Sequence, residues 1–215
     1  MINFQNKVLV FFGNTQDSIE KIKSDFPYLI FKKIKQTHSN IVVESSNINA
    51  TADSHYSAKA CEALIISTAD CLPIMIYCSQ THRVAAVHAG WRGVVNKVTE
   101  KTLLQLISTG SSDKKFHFWI GPHILQNSFE VDFEAYVLLS KAHYNLKNED
   151  FMIFKNNKYF IELNKIVESQ IKNVTDFTPE INFLNIDTKT NTDYYSYRRG
   201  QKTKERNLSF ICLLS

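Results

Sequence analysis

The sequence predicts a mixed α/β architecture, on three observations. Short β-like apolar runs alternate with a few segments of helical periodicity, and no repeat, low-complexity tract or Pro/Gly/Ser-rich linker divides them. A chain of 215 residues, 44% of them apolar, can bury a sizeable core. One domain spanning residues 1–215 is the expected organisation.

In chain order the expected strands are Val8 to Phe12, Ile41 to Val43, Ala63 to Ser67, Ile74 to Cys78, Val84 to His88, Phe116 to Ile120, Ile181 to Ile186 and Ser209 to Leu213. Three segments carry helical spacing. After Gly93, residues Val95, Val98, Thr102, Leu103 and Leu106 share one face; Asp132 to His143 reads similarly; and Glu162 to Val174 carries Leu163, Ile166, Val167 and Ile171.

Composition narrows the function classes. The 25 basic and 21 acidic residues are spread along the chain, so the net charge of +4 comes without a concentrated basic arm, and nucleic-acid binding is not expected. The densest basic cluster, Arg198 to Arg206, with Tyr194, Tyr195 and Tyr197 beside it, reads as a charged loop or a small-anion pocket rather than a strand-binding surface. No apolar run reaches the roughly 20 residues of a membrane span, and the first residues lack a secretory signal, so a cytoplasmic location is expected. Four cysteines, Cys61, Cys71, Cys78 and Cys212, show no Cys-x-x-Cys spacing and are expected to be reduced.

The chemistry concentrates between Gln36 and Gly93. Cys71 stands between His38 and His88, and two imidazoles with one thiolate give a divalent zinc three protein ligands and an open fourth position, as in a catalytic site. The same Cys71 and His88 also suit a cysteine nucleophile with its base. His88 ends an apolar strand and Gly90-Trp91-Arg92-Gly93 opens the next helix, which suits an anion: free N–H groups at the helix start and the Arg92 fork both favour phosphate or carboxylate. Equally, Gly90 and Gly93 can serve only to permit a tight turn, with Arg92 as a cap or ion-pair partner.

Five motifs carry a family resemblance: Gln36-Thr37-His38-Ser39, Thr68-Ala69-Asp70-Cys71-Leu72-Pro73, His88-Ala89-Gly90-Trp91-Arg92-Gly93, Ile120-Gly121-Pro122 with Phe129-Glu130-Val131, and Ser196-Tyr197-Arg198-Arg199. In this order, from about Val8 to Leu213, the chain resembles the YfiH family, whose members are also called laccase-domain or multicopper polyphenol oxidoreductase-like proteins, and purine nucleoside phosphorylases. The resemblance implies an α+β fold of mixed β-sheets layered with helices, shared with toxin-type cysteine hydrolases. It implies zinc held by His38, Cys71 and His88, although histidine and cysteine ligands also permit copper. It implies phosphorolysis of adenosine, inosine and S-methyl-5′-thioadenosine to the free base and a ribose 1-phosphate, with adenosine deaminase activity, in a monomer or homodimer.

Within that resemblance Cys71, His88 and Arg92 are the expected catalytic residues, and Gly90, Arg92, Arg198 and Arg199 the expected phosphate-binding ones. Asp53 matches an acidic position of the family and is expected to orient a ligand or a substrate hydroxyl. Two departures bear on substrate choice: Phe12 to Asp17 replaces the usual glycine-rich, Arg-containing segment, and Thr203-Lys204-Glu205-Arg206 replaces the usual Thr-Gly-Arg. His55, His82, His117, His123 and His143 show no His-x-His pairing, so blue-copper oxidase chemistry is not expected; His123 is the extra candidate for the pocket wall. Two alternatives stay open. One is a cysteine hydrolase using Cys71 and His88, and the other is an enzyme that edits a peptidoglycan precursor.

Overall fold

The computed structural model describes residues 1–47, 49–110, 115–175, 179–200 and 204–214. In chain order its strands are β1 (Ile2–Phe4), β2 (Val8–Phe12), β3 (Ile30–Lys33), β4 (Val42–Glu44), β5 (Ser54–Ser57), β6 (Glu62–Thr68), β7 (Leu72–Cys78), β8 (Arg83–Ala89), β9 (Phe116–Ile120), β10 (Glu130–Val131), β11 (Met152–Lys155), β12 (Lys158–Ile161), β13 (Glu180–Phe183) and β14 (Asn207–Leu213). The helices are α1 (Ile19–Asp25), α2 (Trp91–Val95), α3 (Val98–Ser108), α4 (Phe133–Ser140), α5 (Asn148–Phe151) and α6 (Leu163–Val174).

Alternation along the central strands explains the layering. In β7, Met75 and Tyr77 join Val8, Val10, Leu64, Ile66 and Ile211 in one core, while Ile74, Ile76 and Cys78 join Val98, Leu103, Ile166 and Ile171 in another. A strand buried on both faces has no polar side to show, which is why Leu72 to Cys78 reads as one apolar run. The first core lies between a five-stranded sheet (β1-β2-β14-β6-β3) and a six-stranded sheet (β13-β9-β7-β8-β5-β4). The second lies between the six-stranded sheet and helices α3 and α6. A third core, centred on Leu9, Ile65, Phe210 and Cys212, packs the outer face of the five-stranded sheet against Ile22 of α1. A small sheet (β10-β12-β11) completes the fold.

Both large sheets are mixed: β3–β6, β4–β5 and β9–β13 are parallel pairs, and the other pairs are antiparallel. The α+β arrangement of mixed sheets layered with helices is therefore as expected. Every expected strand is present within about three residues at its ends. The expected helix after Gly93 is divided in two, because Lys97 takes the left-handed region at φ 59° and donates its N–H back to the Val94 carbonyl. The strand β5 escapes period-two reading because its buried residues are polar: Ser54 accepts from the Thr102 hydroxyl at 2.8 Å, and Ser57 donates to Glu62 at 2.7 Å. Among the described residues no helix is long and apolar enough to cross a membrane.

His55 on β5 is buried and faces the Ile65 main chain; burial, the larger effect, pushes its pKa down to about 3. The unfolded chain binds a proton here near pH 6.5 and the folded chain does not, so stability is full above about 6.5 and falls as pH drops toward 3. Denaturant unfolding followed from pH 7 to pH 4 should show the wild type losing up to about 1.4 kcal/mol per pH unit more than a His55→Gln variant. Parallel pH profiles for the two proteins would refute the assignment.

Candidate metal centre

Strand register assembles the site. The β7–β8 pairing opposes Leu72 to Ala89 and Pro73 to His88, so one step further Cys71 meets Gly90. The β5–β8 pairing opposes Ser54 to Val87, so the next step sets Asp53 against His88, whose N–H donates to the Asp53 carbonyl at 2.8 Å. Pro73 sits at the start of a central strand, where a missing N–H is tolerated, and its carbonyl accepts from Gly121 at 3.0 Å. Gly90 is required by crowding: a Cβ there would lie 2.6 Å from His38 Cδ2 and 3.0 Å from Cys71 Sγ.

Asp53 is fully buried, and a buried carboxylate must be saturated with donors. Main-chain N–H groups of Thr37, His38 and Ser39 donate to it at 3.1, 3.0 and 2.5 Å, and the Ser39 hydroxyl at 2.6 Å. These bonds fold the loop so that His38, in the left-handed region at φ 61°, projects toward Cys71. His88 lies 2.7 Å through Nδ1 from Asp53 Oδ1. Burial pushes the Asp53 pKa up, but the bonds from His88, Ser39 and Thr37 outweigh it and hold the carboxyl far below its usual range. The carboxylate therefore accepts, Nδ1 of His88 carries the proton, and Nε2 is the nitrogen left for a ligand.

The ligand atoms of His38, Cys71 and His88 lie within 4.8 Å of one another, with Cys71 Sγ 3.8 Å from His38 Nε2; among the described residues this is the one group of three metal-capable side chains. His38 is exposed, Cys71 partly exposed and His88 buried. Burial pushes the Cys71 thiol up, but hydrogen bonds from His38 and His88 bring it down to about 6. Burial pushes His88 down, but its bonds to Asp53 and Cys71 raise it to about 9. Two imidazoles, one held by a carboxylate, and a thiol that ionises readily are a donor set that fits a divalent zinc or copper.

A cavity of about 540 Å³ opens on this centre. Its lining includes the polar residues Gln36, Ser67 and Asp70, the apolar residues Trp91, Ile124, Phe129, Leu163 and Tyr197, and the cationic residues Arg92, Arg198 and Arg206. Arg92 lies over the Trp91 ring at 4.3 Å, and Arg198 over Phe129 at 5.3 Å while donating to the Glu130 carbonyl at 2.8 Å. The two tail arginines part company: Arg199 turns its guanidinium onto the Thr188, Asn191 and Tyr194 carbonyls and does not line the cavity. His123, the extra candidate for the wall, is fully buried with Nδ1 2.7 Å from the Gly121 carbonyl, and it does not line the cavity either. The helix opened by Gly90 is only five residues long, so side chains rather than its dipole supply most of the positive charge. Of the basic cluster, Gln201 to Thr203 lie outside the described residues. Sequence reading missed the aromatic wall; the spacing of Trp91, Phe129 and Tyr197 carries no local signal, and only the fold brings them together.

The fold and site define an α+β protein with an open His–Cys–His centre at the end of a mixed sheet. Residues 14–214 match the family described as multi-copper polyphenol oxidoreductase laccase, and the chain belongs to this family, the YfiH family. It is 30% identical over 203 residues to a purine nucleoside phosphorylase of Clostridium acetobutylicum, covering 91% of this chain and 82% of that one. It is also 37% identical over 83 residues to an adenosine deaminase of an unknown prokaryotic organism, covering 39% of this chain and 32% of that one. Among solved structures, YfiH of Bacillus licheniformis shares the fold with a TM-score of 0.81 at 20% identity, over 90% of this chain and 79% of that one.

Asp53→Asn would turn an amide N–H₂ toward donors and release His88. Metal affinity, measured by competition with a chromophoric chelator, should fall about 10- to 100-fold, and unchanged affinity would refute the role. A metal must displace the His88 proton, so wild-type affinity should rise about tenfold per pH unit between 6 and 9 and flatten above.

Proposed function

We propose that this protein is a zinc-dependent purine nucleoside phosphorylase that cleaves adenosine, inosine and S-methyl-5′-thioadenosine with phosphate, and that also deaminates adenosine. The observation that carries the reading is one cavity in which a three-ligand centre, a cationic rim and an aromatic wall face the same space. The name of the Clostridium acetobutylicum relative supports it, and that of the deaminase supports the second activity.

Phosphorolysis breaks the C1′–N9 bond of the nucleoside and forms a bond from a phosphate oxygen to C1′, so it needs a held anion and a held base. Arg92 and Arg198 bind the phosphate, Arg92 with its planar fork and Arg198 from a guanidinium fixed by the Glu130 carbonyl. Trp91, Phe129 and Tyr197 offer flat apolar faces to the purine, and Gln36 and Ser67 offer polar groups beside them. His38, Cys71 and His88 would hold the zinc, and Asp53 keeps His88 in the tautomer that presents Nε2. Zinc bound there would supply the Lewis acid that deamination requires. A base lying against the apolar side chains of Trp91, Phe129 and Tyr197 displaces water from the cavity and so strengthens the attraction between the arginines and the phosphate.

A second reading has its own observation. Asp53, His88 and Cys71 form a carboxylate–imidazole–thiol series with a thiol lowered to about 6, the arrangement of a cysteine nucleophile with an oriented base. Metal content separates the two.

Cys71→Ser and His38→Ala should each lower zinc content and reduce phosphate-dependent release of adenine and hypoxanthine at least 100-fold, as removal of a metal ligand implies. Arg92→Ala should keep zinc, by elemental mass spectrometry, and raise the KM for phosphate about 10- to 100-fold. Zinc retained in both ligand variants would sink the metal assignment. Zinc-free wild type alkylated stoichiometrically at Cys71 and inert toward nucleosides would overturn the phosphorylase reading and point to the cysteine hydrolase.

A further inference from the structure

Asp70 precedes Cys71, is 7% exposed, and has no part in the chemistry above. Its φ of 79° lies in the left-handed region, which a non-glycine residue occupies only where its surroundings compensate. The compensation is visible. One carboxylate oxygen accepts the Thr188 hydroxyl at 2.7 Å, the other accepts the main-chain N–H of Arg198 at 2.7 Å, and the Asp70 carbonyl accepts the N–H of Ile124 at 3.0 Å. Thr188 and Arg198 come from 118 and 128 positions along the chain. The ligand-bearing turn and the cationic rim are thus tied through one side chain, and the Arg198 guanidinium is aimed from that anchor across Phe129 to the Glu130 carbonyl.

We propose that Asp70 is a positioning residue that fixes the distance between Cys71 and Arg198, so that a metal held by Cys71 and an anion held beside Arg198 sense one another. The inference rests on the phosphorylase reading for the identity of the anion, inorganic phosphate. Asparagine tolerates the left-handed region as well as aspartate does, so Asp70→Asn leaves the backbone alone and changes only the acceptors. The amide can still meet both partners, its oxygen accepting from the Arg198 N–H and its N–H₂ donating to the Thr188 hydroxyl, so the variant removes the carboxylate charge and weakens both bonds while keeping their geometry. Thr188→Val is close in shape and removes a single hydroxyl donor.

The test uses the cobalt(II)-loaded protein, whose thiolate-to-cobalt absorption reports on Cys71, titrated with inorganic phosphate. In the wild type, phosphate should shift the band saturably. Asp70→Asn should keep the band, with cobalt bound at the wild-type stoichiometry, and weaken the phosphate response about tenfold; Thr188→Val should weaken it about threefold. In turnover, the KM for phosphate should rise by the same factors at unchanged kcat, a split that general loosening of the fold would not produce. The inference is overturned by a wild-type band that ignores phosphate, by variants within twofold of wild type, or by loss of cobalt from both variants. A phosphate response of the expected form without nucleoside cleavage supports the coupling and removes the phosphorylase reading instead.

Discussion

One buried carboxylate organises the site. Asp53 has no water to solvate it, so its charge survives only by gathering the three N–H groups and the hydroxyl of Thr37 to Ser39 on one side and His88 on the other. Those demands determine the path of the loop, the left-handed backbone of His38 and the tautomer of His88. The candidate metal ligands are therefore placed by an electrostatic requirement one layer behind them, and the register of β5 on β8 puts that requirement opposite His88.

The cavity belongs to neither large sheet alone. Ser67 comes from the end of β6, and Gln36 is clamped to it by reciprocal bonds of 2.8 and 2.9 Å, both on the five-stranded side. Cys71 and His88 lie at the ends of β7 and β8 on the six-stranded side, and Phe129 and Leu163 come from the segments around the small sheet and α6. The shared core of Val10, Leu64, Ile66, Met75 and Ile211 is what holds those walls at a constant separation. A binding site at the junction of two packed sheets is rigid where it matters, because close-packed cores resist sliding. The surface over it, where Tyr197 and the arginines stand exposed, can adapt.

Sequence reading recovered the central strands because burial on both faces turns them into apolar runs, and recovered α6 because its apolar residues repeat at helical spacing. It lost β5, whose serines are buried by hydrogen bonds rather than apolar contact, and α1, where Ile22 is the single buried residue. His38, Cys71 and His88 were legible as candidate ligands from residue type and order, and the fold brings their ligand atoms within 4.8 Å of one another. Asp53 was legible as an acidic position but not as the partner of His88, since that pairing is a matter of register between strands 35 residues apart. Arg198 and Arg199 are indistinguishable in sequence; only the carbonyls around Tyr194 show that the second is spent on the backbone.

The place of β14 in the five-stranded sheet also has a consequence in time. It lies between β2 and β6 and pairs Ile211 with both Val10 and Leu64, so β2 cannot complete its pairing until about 200 more residues have been made. At ribosomal rates this leaves the edge of β2 open for roughly 10–40 s and that of β6, made later, for roughly 7–30 s. The nascent chain therefore carries the open edges of β2 and β6 until β14 is made, whereas the pairings of β5 and β7 with β8, which bring Asp53, Cys71 and His88 together, use strands synthesised long before.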